Sequence, residues 1–431
     1  MKKAAFCTLG CKVNQYETEA ITELFASSGY ETVPFDEKAD VYVINTCSVT
    51  NIGDRKSRQM IRRARKHNSG AVVIVTGCYA QTAAEEVLAI DGVNLVLGTK
   101  GRTEIVKLAE GLDSSSKLNL VGDIMHNHDF EELRITKYED RTRAFIKIQE
   151  GCSQFCSYCI IPYARGPIRS RPEDEVLAEM RELAENGFAE IILTGIHVAS
   201  YGLDLKNTSL EQLLVKADKT DGIRRLRLSS IEPMTLNSSF IEKIKASKKL
   251  CPHFHISLQS GCTETLKRMN RKYTAEQYME IARGLREAFP DCALTTDIMV
   301  GFPGETDEEF EKTLEFVRAV EFAGAHVFQY SRRRGTPAAE MPGQIPPEIK
   351  ERRSKIIIAE TEKSRDKFLG AHIGRTMEVL FEQRVRGGLF EGKTANYITV
   401  HAPSDENLSG KFRNVKLLEA KNGVIIGKII D

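Results

Sequence analysis

Short apolar runs alternate with helical patterns through the first quarter of the chain. The predicted strands are residues 3–8, 40–45, 71–76 and 93–97. The predicted helices between them are residues 16–28, 54–67, 80–89 and 102–110. This alternation is typical of a parallel sheet that is covered by helices on both faces. Sequence rich in Ser, Asn and Asp then runs from residue 111 to about residue 141, and its weak periodicity predicts a linker.

A second alternating block follows the predicted linker. Its predicted strands are residues 143–148, 190–194, 225–229, 253–258, 292–300 and 325–330. Its clearest helical patterns are residues 172–186, 275–288 and 305–320, and a charged helix at 347–369 closes the block. Six strand–helix units suit an incomplete parallel barrel better than a complete eightfold one.

The pattern changes again in the tail. Short strands are predicted at residues 376–381, 394–401, 411–419 and 424–430, separated by Gly and Asn turns. This is typical of a small all-β module, and we expect a five-stranded barrel. The chain is therefore predicted to be an α/β protein with four parts. These are a parallel-sheet domain at 1–112, a linker at 113–140, a partial (β/α)6 barrel at 141–370 and a β-barrel at 371–431.

Composition narrows the class of protein. Of 431 residues, 41% are hydrophobic and 28% are charged, which excludes a disordered or fibrous chain. The formal charge of +1 gives no global sign of a nucleic-acid partner. No apolar run suits a signal peptide or a membrane span, so we expect a cytoplasmic protein without membrane association. Thiols stay reduced there, and the ten cysteines therefore indicate metal or redox chemistry.

Three of the cysteines form a local motif. Cys152, Cys156 and Cys159 have the spacing C-x3-C-x2-C directly after the first predicted barrel strand. Thiolates at this spacing can converge on an iron–sulfur cluster and leave one of four irons open. The alternatives are buried packing and a zinc knuckle. A structural zinc site needs a fourth protein ligand, and the next histidine is the distant His197, so the spacing favours a cluster.

Three further cysteines share a setting rather than a spacing. Cys11, Cys47 and Cys78 each follow the end of a predicted strand in the first sheet. Parallel strands end along the same edge of a sheet, so these thiols could meet and hold a second cluster with an open iron. Alternatively each packs as a small hydrophobic residue, and spacing alone does not decide between the two. The remaining cysteines are expected to pack: Cys7, Cys251, Cys262 and Cys292.

The motifs resemble a known family along the whole chain. The cysteine triplet after the first strand of a six-unit barrel resembles the radical S-adenosylmethionine superfamily. Residues 10–17 (GCKVNQYE), 45–47 (NTC) and 76–78 (TGC) resemble the amino-terminal domain of methylthiotransferases, and the tail is similar to the RNA-binding TRAM domain. The resemblance implies two [4Fe–4S] clusters and S-adenosylmethionine. It assigns Cys152, Cys156 and Cys159 to the cluster that cleaves S-adenosylmethionine to a radical, and Cys11, Cys47 and Cys78 to an auxiliary cluster that handles sulfur.

Polar and glycine residues at the ends of barrel strands are candidate cofactor contacts. They are Thr194, Gly195, Ser229, Glu232 and Gly301. Sites in such barrels lie at these strand ends. Glycine allows close approach of a ligand to the backbone, and Ser or Glu can hydrogen-bond a ribose or a base. The alternative is that they serve as ordinary turn and cap residues.

Local basic patches indicate RNA in spite of the neutral total charge. The candidate contacts are Arg55, Arg58, Arg62 and Lys66 at helical spacing, Arg165 and Arg169 beside the cysteine loop, and Arg384, Lys411 and Arg413 in the tail. The aromatic residues Phe381, Phe390, Tyr397 and Phe412 are candidates for base stacking in the tail. The alternative is a solvated basic face. Two separate patches favour a large RNA over a small molecule.

The amino-acid sequences of residues 9–20 and 229–233 most resemble those of the threonylcarbamoyladenosine branch of the family. This implies 2-methylthiolation of N6-threonylcarbamoyladenosine at position 37 of tRNA, next to the anticodon. It also implies an electron donor such as flavodoxin or ferredoxin, and we expect a monomer. The alternatives are, in order, the same reaction on isopentenyladenosine, on an aspartate of a ribosomal protein, and a zinc-dependent non-catalytic RNA-binding protein.

Overall fold

The structure is a computed structural model, and it describes residues 1–48, 51–135 and 142–430. The predicted boundary between linker and barrel, at residues 140 and 141, lies outside the described residues. Of the helices that the structure describes, none has both the length and the apolar character that a membrane crossing needs.

The N-terminal part is a six-stranded parallel sheet with helices on both faces. Its elements are β1 (Lys3–Thr8), α1 (Lys12–Ser27), β2 (Glu31–Val33), β3 (Val41–Thr46), α2 (Asn51–His67), β4 (Val72–Gly77), α3 (Cys78–Thr82), α4 (Ala84–Leu88), β5 (Leu95–Val96), α5 (Ile105–Glu110) and β6 (Leu118–Asn119). The strand order is β2-β1-β3-β4-β5-β6, and all pairs are parallel. Strands β3 and β4 are buried along their whole length because helices cover both of their faces.

Two details of this sheet differ from the sequence prediction. The single helix predicted at 80–89 is interrupted at Ala83, whose ψ of 45° is not helical, and so α3 and α4 are separate. The short strands β2 and β6 were not predicted because two or three residues carry too little hydrophobic periodicity. Strand β6 falls within residues 113–140, so the range predicted as a linker begins by adding an edge strand to the sheet.

The middle part is an incomplete parallel barrel. Its elements are β7 (Ala144–Glu150), α6 (Ile161–Arg165), β8 (Arg169–Ser170), α7 (Glu173–Glu185), β9 (Glu190–Gly195), α8 (Leu210–Ala217), β10 (Arg225–Leu228), α9 (Ser238–Lys245), β11 (His253–His255), α10 (Thr263–Arg268), α11 (Ala275–Ala288), β12 (Ala293–Val300), α12 (Asp307–Val320), β13 (Gly324–Gln329), α13 (Pro337–Glu340) and α14 (Pro347–Gly370). The strands form a β10-β9-β7-β8 sheet and a β11-β12-β13 sheet. Parallel bridges from Leu226 to Leu250 and from Ile231 to Ile256 join them, so six parallel strands form one curved wall.

Helix α1 packs on the concave side of this wall. Tyr16 and Ala20 of α1 share a buried apolar cluster with Phe145 of β7 and Ile192 of β9. The Tyr16 hydroxyl donates a hydrogen bond to the backbone oxygen of Leu133, at 2.5 Å. The first sheet is therefore joined to the inner face of the barrel through one of its own helices.

The C-terminal part is a closed five-stranded barrel. Its strands are β14 (Thr376–Arg384), β15 (Leu389–Thr394), β16 (Thr399–Pro403), β17 (Phe412–Lys421) and β18 (Val424–Ile429), in the order β14-β15-β16-β18-β17. The five-stranded barrel is confirmed, although β15 was not predicted as a separate strand. The predicted fold class is also confirmed: a parallel α/β domain, a partial barrel and a small β-barrel.

The small barrel docks at the amino-terminal end of the barrel strands. Tyr397 stacks on His253 of β11, with ring centroids 4.5 Å apart and planes 12° apart. The Arg227 guanidinium lies 4.6 Å from the centroid of the Tyr397 ring and also donates a hydrogen bond to the Ala395 backbone oxygen. Arg225 donates to the backbone oxygens of Lys393 and Glu378. The end of the barrel opposite the cysteine loop is thus closed by charged and aromatic contacts.

Candidate active site

The first cysteine trio meets at the carboxyl edge of the N-terminal sheet. Strands β1, β3 and β4 are adjacent, and Cys11, Cys47 and Cys78 follow their ends. A side chain on Gly10, which has φ of +107°, would lie 2.9 Å from the Cys47 sulfur, so the β1 turn passes directly over Cys47. Cys11 is exposed, Cys47 is half-buried and Cys78 is buried. Three thiols thus reach one spot from three separate strands.

These three thiols are also close enough to affect the pKa of Cys78. The pKa of Cys78 is raised to about 11, chiefly by burial, with Arg165 opposing the rise and the nearby Cys11 and Cys47 thiols adding to it. The Arg165 Nε atom lies 3.3 Å from the Cys78 sulfur. A cation against a buried thiol favours the thiolate, which is the form that binds metal.

The second trio lies on the loop between β7 and α6. Gly151 has φ of +75°, and a Cβ there would lie 1.8 Å from the Pro167 backbone oxygen, so only glycine fits where the loop leaves β7. The backbone of Ser157 bonds to the Met269 oxygen at 3.0 Å, which anchors the middle of the loop to the end of α10. These contacts hold the cysteine loop against the top of the barrel.

The thiols of this loop are close enough to interact. The pKa of Cys152 is raised to about 11 and that of Cys159 to about 12, chiefly by burial, and charge on Cys156 contributes to both rises. The Arg271 Nη1 atom lies 3.3 Å from the Cys156 sulfur. Each trio therefore has one arginine that contacts one of its sulfurs.

The two trios fit iron–sulfur clusters better than single zinc ions. A tetrahedral zinc site with Zn–S bonds of about 2.3 Å needs sulfurs about 3.8 Å apart. Across residues 1–48, 51–135 and 142–430, neither trio has its ligand atoms all within 4.8 Å of one another. A larger group bound by three thiolates, with an arginine beside one of them, matches this donor set.

A buried charge network joins the two trios. Helix α6 follows Cys159 directly, and its last residue, Arg165, contacts Cys78, the Asn14 amide oxygen and the carboxylates of Glu17 and Glu150. Among the described residues this network contains the cations Arg102, Lys147, Arg165 and Arg169 and the carboxylates Glu17, Glu131 and Glu150. All seven side chains are almost fully buried.

The network holds one more cation than carboxylates. Burial would raise the pKa of Glu17, but Arg102, Arg165 and Lys147 hold it well below its ordinary value. Burial likewise opposes ionisation of Glu150, and Lys147 and Arg102 outweigh it, so its pKa is about 2. Glu17 and Glu150 are therefore ionised, and Arg165 directs positive charge of the network at the Cys78 thiol.

The predicted cofactor contacts lie around the same end of the barrel. Thr194 is buried in β9, and Gly195 ends that strand with its Cα against the Gln149 backbone and side chain. Ser229 is half-buried beyond the end of β10. Glu232 lies close to the cysteine loop, because Arg271 pairs with it at 2.7 Å and also contacts Cys156.

Gly301 lies in the turn after β12. Its N–H donates to a Glu305 oxygen at 2.7 Å, and the aliphatic part of Lys350 covers its Cα. These contacts explain the need for a glycine there. A direct contact with the cofactor stays a prediction for all five residues.

Residues that the sequence did not single out complete this surface. They are Arg271, His197 and Gln149. The Gln149 side-chain oxygen accepts a hydrogen bond from the His197 backbone N–H at 2.7 Å. The His197 Nε2 atom lies 3.6 Å from a Glu232 carboxylate oxygen. Arg271 is 115 residues from Cys156 in the chain, and no local motif connects them. Only the folding of the barrel brings these groups together.

The prediction that Arg165 and Arg169 contact RNA is wrong. Both side chains are at most 1% exposed and pair with the buried carboxylate of Glu150. The stacking prediction is also wrong for Phe381 and Phe390, which are buried in the core of the small barrel. Tyr397 and Phe412 are half-buried, with Tyr397 stacked on His253 and Phe412 packed under Arg224 and Arg225. Base stacking by these two residues stays a prediction.

The other basic residues remain available at the surface. Arg55, Arg62 and Lys66 are exposed along α2, whereas Arg58 is half-buried against Tyr79 and Glu86. In the tail, Arg384 and Lys411 are exposed and Arg413 is partly exposed. RNA binding by these residues stays a prediction.

A cleft of about 770 Å³ opens between the N-terminal domain and the barrel. Its lining includes Tyr79, next to Cys78, and Ile160, next to Cys159. Tyr163 and Arg333 also line it, and Arg333 bonds to Asp54 at the start of α2. The cleft therefore connects the neighbourhood of both trios with the basic helix.

Comparisons with known proteins agree with this architecture. The model of the Radical SAM superfamily matches residues 146–317, and that of Uncharacterized protein family UPF0004 matches residues 3–98. Threonylcarbamoyladenosine tRNA methylthiotransferase MtaB of Bacillus subtilis is 44% identical over 97% of this chain and 94% of its own length. A tRNA-2-methylthio-N(6)-dimethylallyladenosine synthase of Caldicellulosiruptor saccharolyticus is 35% identical over 98% and 91%.

Solved structures share the fold. The radical S-adenosylmethionine methyltransferase TsrM of Kitasatospora setae, solved with cobalamin and a [4Fe–4S] cluster, superimposes with a TM-score of 0.58. The match is 18% identical and covers 79% of this chain and 77% of that one. At this identity the likeness shows the fold alone.

Replacing Glu17 with Gln tests the network. The change removes the carboxylate that Arg102, Arg165 and Lys147 share, and it leaves the four buried cations of the network with two carboxylates. We therefore expect the free energy of unfolding to fall by about 3–5 kcal/mol. Urea denaturation measures it. Glu104→Gln, an exposed carboxylate of the same domain, is the control and should change little. Equal midpoints for the Glu17 variant and the wild type would contradict a central role for the network.

Differential alkylation tests the two trios. In iron-depleted protein at neutral pH, we expect iodoacetamide to modify exposed Cys11 fastest, and Cys78 and Cys159 slowly because burial raises their pKa. Iron loading should protect all six predicted ligands. Cys292, buried outside both trios, should react slowly in either state. Peptide mass spectrometry reads each site, and a Cys11 rate that iron does not change would exclude Cys11 as a ligand.

Proposed function

We propose that this chain, which belongs to the radical S-adenosylmethionine methylthiotransferase family, 2-methylthiolates N6-threonylcarbamoyladenosine at position 37 of tRNA. The protein is a transferase that uses S-adenosylmethionine and two [4Fe–4S] clusters. One observation carries the proposal. Two cysteine trios lie at one domain junction, in a chain that matches a curated tRNA methylthiotransferase over nearly its whole length.

We assign the six ligands by their position in the fold. Cys152, Cys156 and Cys159 would hold the cluster at the top of the barrel, and Cys11, Cys47 and Cys78 the auxiliary cluster at the sheet edge. The bound groups supply an S-adenosylmethionine-derived radical and a site for the transferred sulfur. The chain keeps these two sites at a fixed separation, since α6 and Arg165 connect them through buried contacts.

The surroundings of the cysteine loop suit the binding of a small zwitterionic cofactor. We propose that Thr194, Gly195, Ser229, Glu232 and Gly301 contribute to its binding. The pairing of Arg271 with Glu232 supports a role for Glu232, because it orients that carboxylate beside Cys156. The Arg271 guanidinium also contacts the Cys156 sulfur directly, at 3.3 Å.

The route of the RNA follows from the exposed charge. We propose that the anticodon region enters the cleft beside Tyr79 and Ile160, which adjoin Cys78 and Cys159. Arg55, Arg62 and Lys66 on α2, with Arg58 at their edge, would contact phosphates near the cleft. Arg384, Lys411 and Arg413 of the small barrel would provide a second phosphate contact.

The organisation of the chain is part of the proposal. We assign the cluster domain to residues 1–112, the connecting segment to 113–140, the radical domain to 141–370 and the RNA-binding barrel to 371–431. A tRNA substrate supports a cytoplasmic location. We further propose that the protein acts as a monomer and receives electrons from a small carrier such as flavodoxin or ferredoxin.

Isopentenyladenosine in tRNA is the second candidate substrate. A curated relative named for the dimethylallyl-modified nucleoside is 35% identical to this chain, against 44% for the threonylcarbamoyladenosine relative. The higher identity favours threonylcarbamoyladenosine. An aspartate of a ribosomal protein is favoured less because of the basic α2, and the wide spacing of the thiols argues against a zinc protein without activity.

Cysteine replacement separates the two clusters. Changing Cys11, Cys47 or Cys78 to Ala should leave reductive cleavage of S-adenosylmethionine intact and abolish methylthiolation, because only the sulfur-handling site loses a ligand. Anaerobic assays of 5′-deoxyadenosine and of modified tRNA measure the two steps. Cys292→Ala is the matched control, since that buried thiol belongs to neither trio, and it should retain both. Product formation by the Cys78 variant would overturn the auxiliary assignment.

Nucleoside mass spectrometry tests the substrate. We expect tRNA from cells lacking this protein to lose the methylthio derivative of threonylcarbamoyladenosine and to keep that of isopentenyladenosine. Re-expression of the wild type should restore the lost nucleoside, whereas the Cys156→Ala variant should not. Loss of the isopentenyl derivative alone would move the assignment to the second candidate.

A further inference from the structure

Three metal-ligating side chains cluster on the concave face of the barrel, apart from both cysteine trios. They are His255 of β11, Asp297 of β12 and His326 of β13. Asp297 is the register partner of His326, and His255 is paired with Thr295, two residues before Asp297. Side chains two residues apart on a strand share a face, so three adjacent strands direct these groups to one point.

The spacing of the ligand atoms suits a single ion. His255 Nε2 lies 3.2 Å from one Asp297 oxygen, and His326 Nδ1 lies 3.1 Å from the other. Across the described residues this is the only group of three or more such side chains whose ligand atoms all lie within 4.8 Å of one another. Bonds of about 2.0–2.2 Å to one cation place neighbouring ligand atoms about 3.0–3.5 Å apart. Two of the three separations already have that value.

A neighbouring hydroxyl orients His255. Thr295 Oγ1 lies 3.0 Å from His255 Nδ1 and also 3.0 Å from His253 Nε2. His255 therefore directs its other ring nitrogen, Nε2, at Asp297. An outer partner of this kind on the far nitrogen is usual for a histidine that binds metal, because it sets the tautomer and the ring angle.

The open side of the group faces solvent. The His326 side chain is 81% exposed and that of Asp297 is 26% exposed, while His255 is 13% exposed. A cation held here would keep coordination positions free for water or for an oxygen of a bound molecule. Strand β13 is the last strand of the incomplete barrel, so the wall leaves this side uncovered.

We propose that His255, Asp297 and His326 bind one divalent transition-metal cation, of the class of Zn²⁺ or Fe²⁺, at a site separate from the six cysteines. Two imidazoles and one carboxylate form a donor set that suits these ions and is too poor in oxygen for Ca²⁺ or Mg²⁺. The proposal does not depend on the substrate assigned above. Without an ion, the same three groups form a hydrogen-bonded chain, and the experiment distinguishes the two states.

Zinc binding to the anaerobic holoenzyme tests the site. With both clusters assembled, the six ligand thiols are occupied, and dialysis against micromolar Zn²⁺ should add one zinc per chain, measured together with iron by mass spectrometry. Asp297→Asn and His326→Ala should each weaken zinc binding at least tenfold. His326 is mostly exposed, so its replacement spares the core, and unchanged iron content confirms the fold.

His401→Ala provides a matched control. His401 pairs with Glu391 at 2.9 Å in the small barrel, outside the proposed site, and its loss should leave zinc binding unchanged. X-ray absorption at the zinc edge should show nitrogen and oxygen neighbours without sulfur. Equal zinc binding by the wild type and the His326 variant, or sulfur in the zinc shell, would overturn the proposal.

Discussion

The buried pairing of Glu17 with Arg102, Lys147 and Arg165 is the interaction on which the rest of the structure depends. Glu17 comes from α1 of the N-terminal domain, while Lys147 and Arg165 come from the barrel domain. Each ion would be very costly to bury alone, and only the docked arrangement compensates all of them. The two domains are therefore held in one relation, and so are the two cysteine trios that they carry.

The excess positive charge of this network links folding to metal chemistry. Arg165 contacts Cys78, and Arg271, from the other side of the barrel, contacts Cys156. Burial raises the pKa of Cys78, and the Arg165 guanidinium is the largest influence that lowers it and so favours the thiolate. Arg165 thus both joins the domains and contacts a sulfur of the first trio, whereas Arg271 contacts the second trio from within the barrel, paired with Glu232.

Different elements cover the concave face and the two ends of the incomplete barrel. Helix α1 covers β7 and β9, and the small barrel closes the amino-terminal end through Tyr397. The cysteine loop and Glu232 occupy the opposite end, and His255, Asp297 and His326 occupy the open side near β13. A complete barrel would fill this interior with its own side chains. The missing strands leave room for other domains and for ligands.

The sequence by itself determined the fold class, the positions of most strands and the candidacy of all six cysteines. Strands such as β1 and β12 follow from local hydrophobic periodicity, and C-x3-C-x2-C is a local motif. Short strands such as β15 carry too little pattern to be separated. Only the tertiary structure decided that Arg165 and Phe390 are buried rather than open to RNA, and that Arg271 lies beside Cys156. Burial and long-range contacts depend on how the domains dock, and residue type and spacing do not record that.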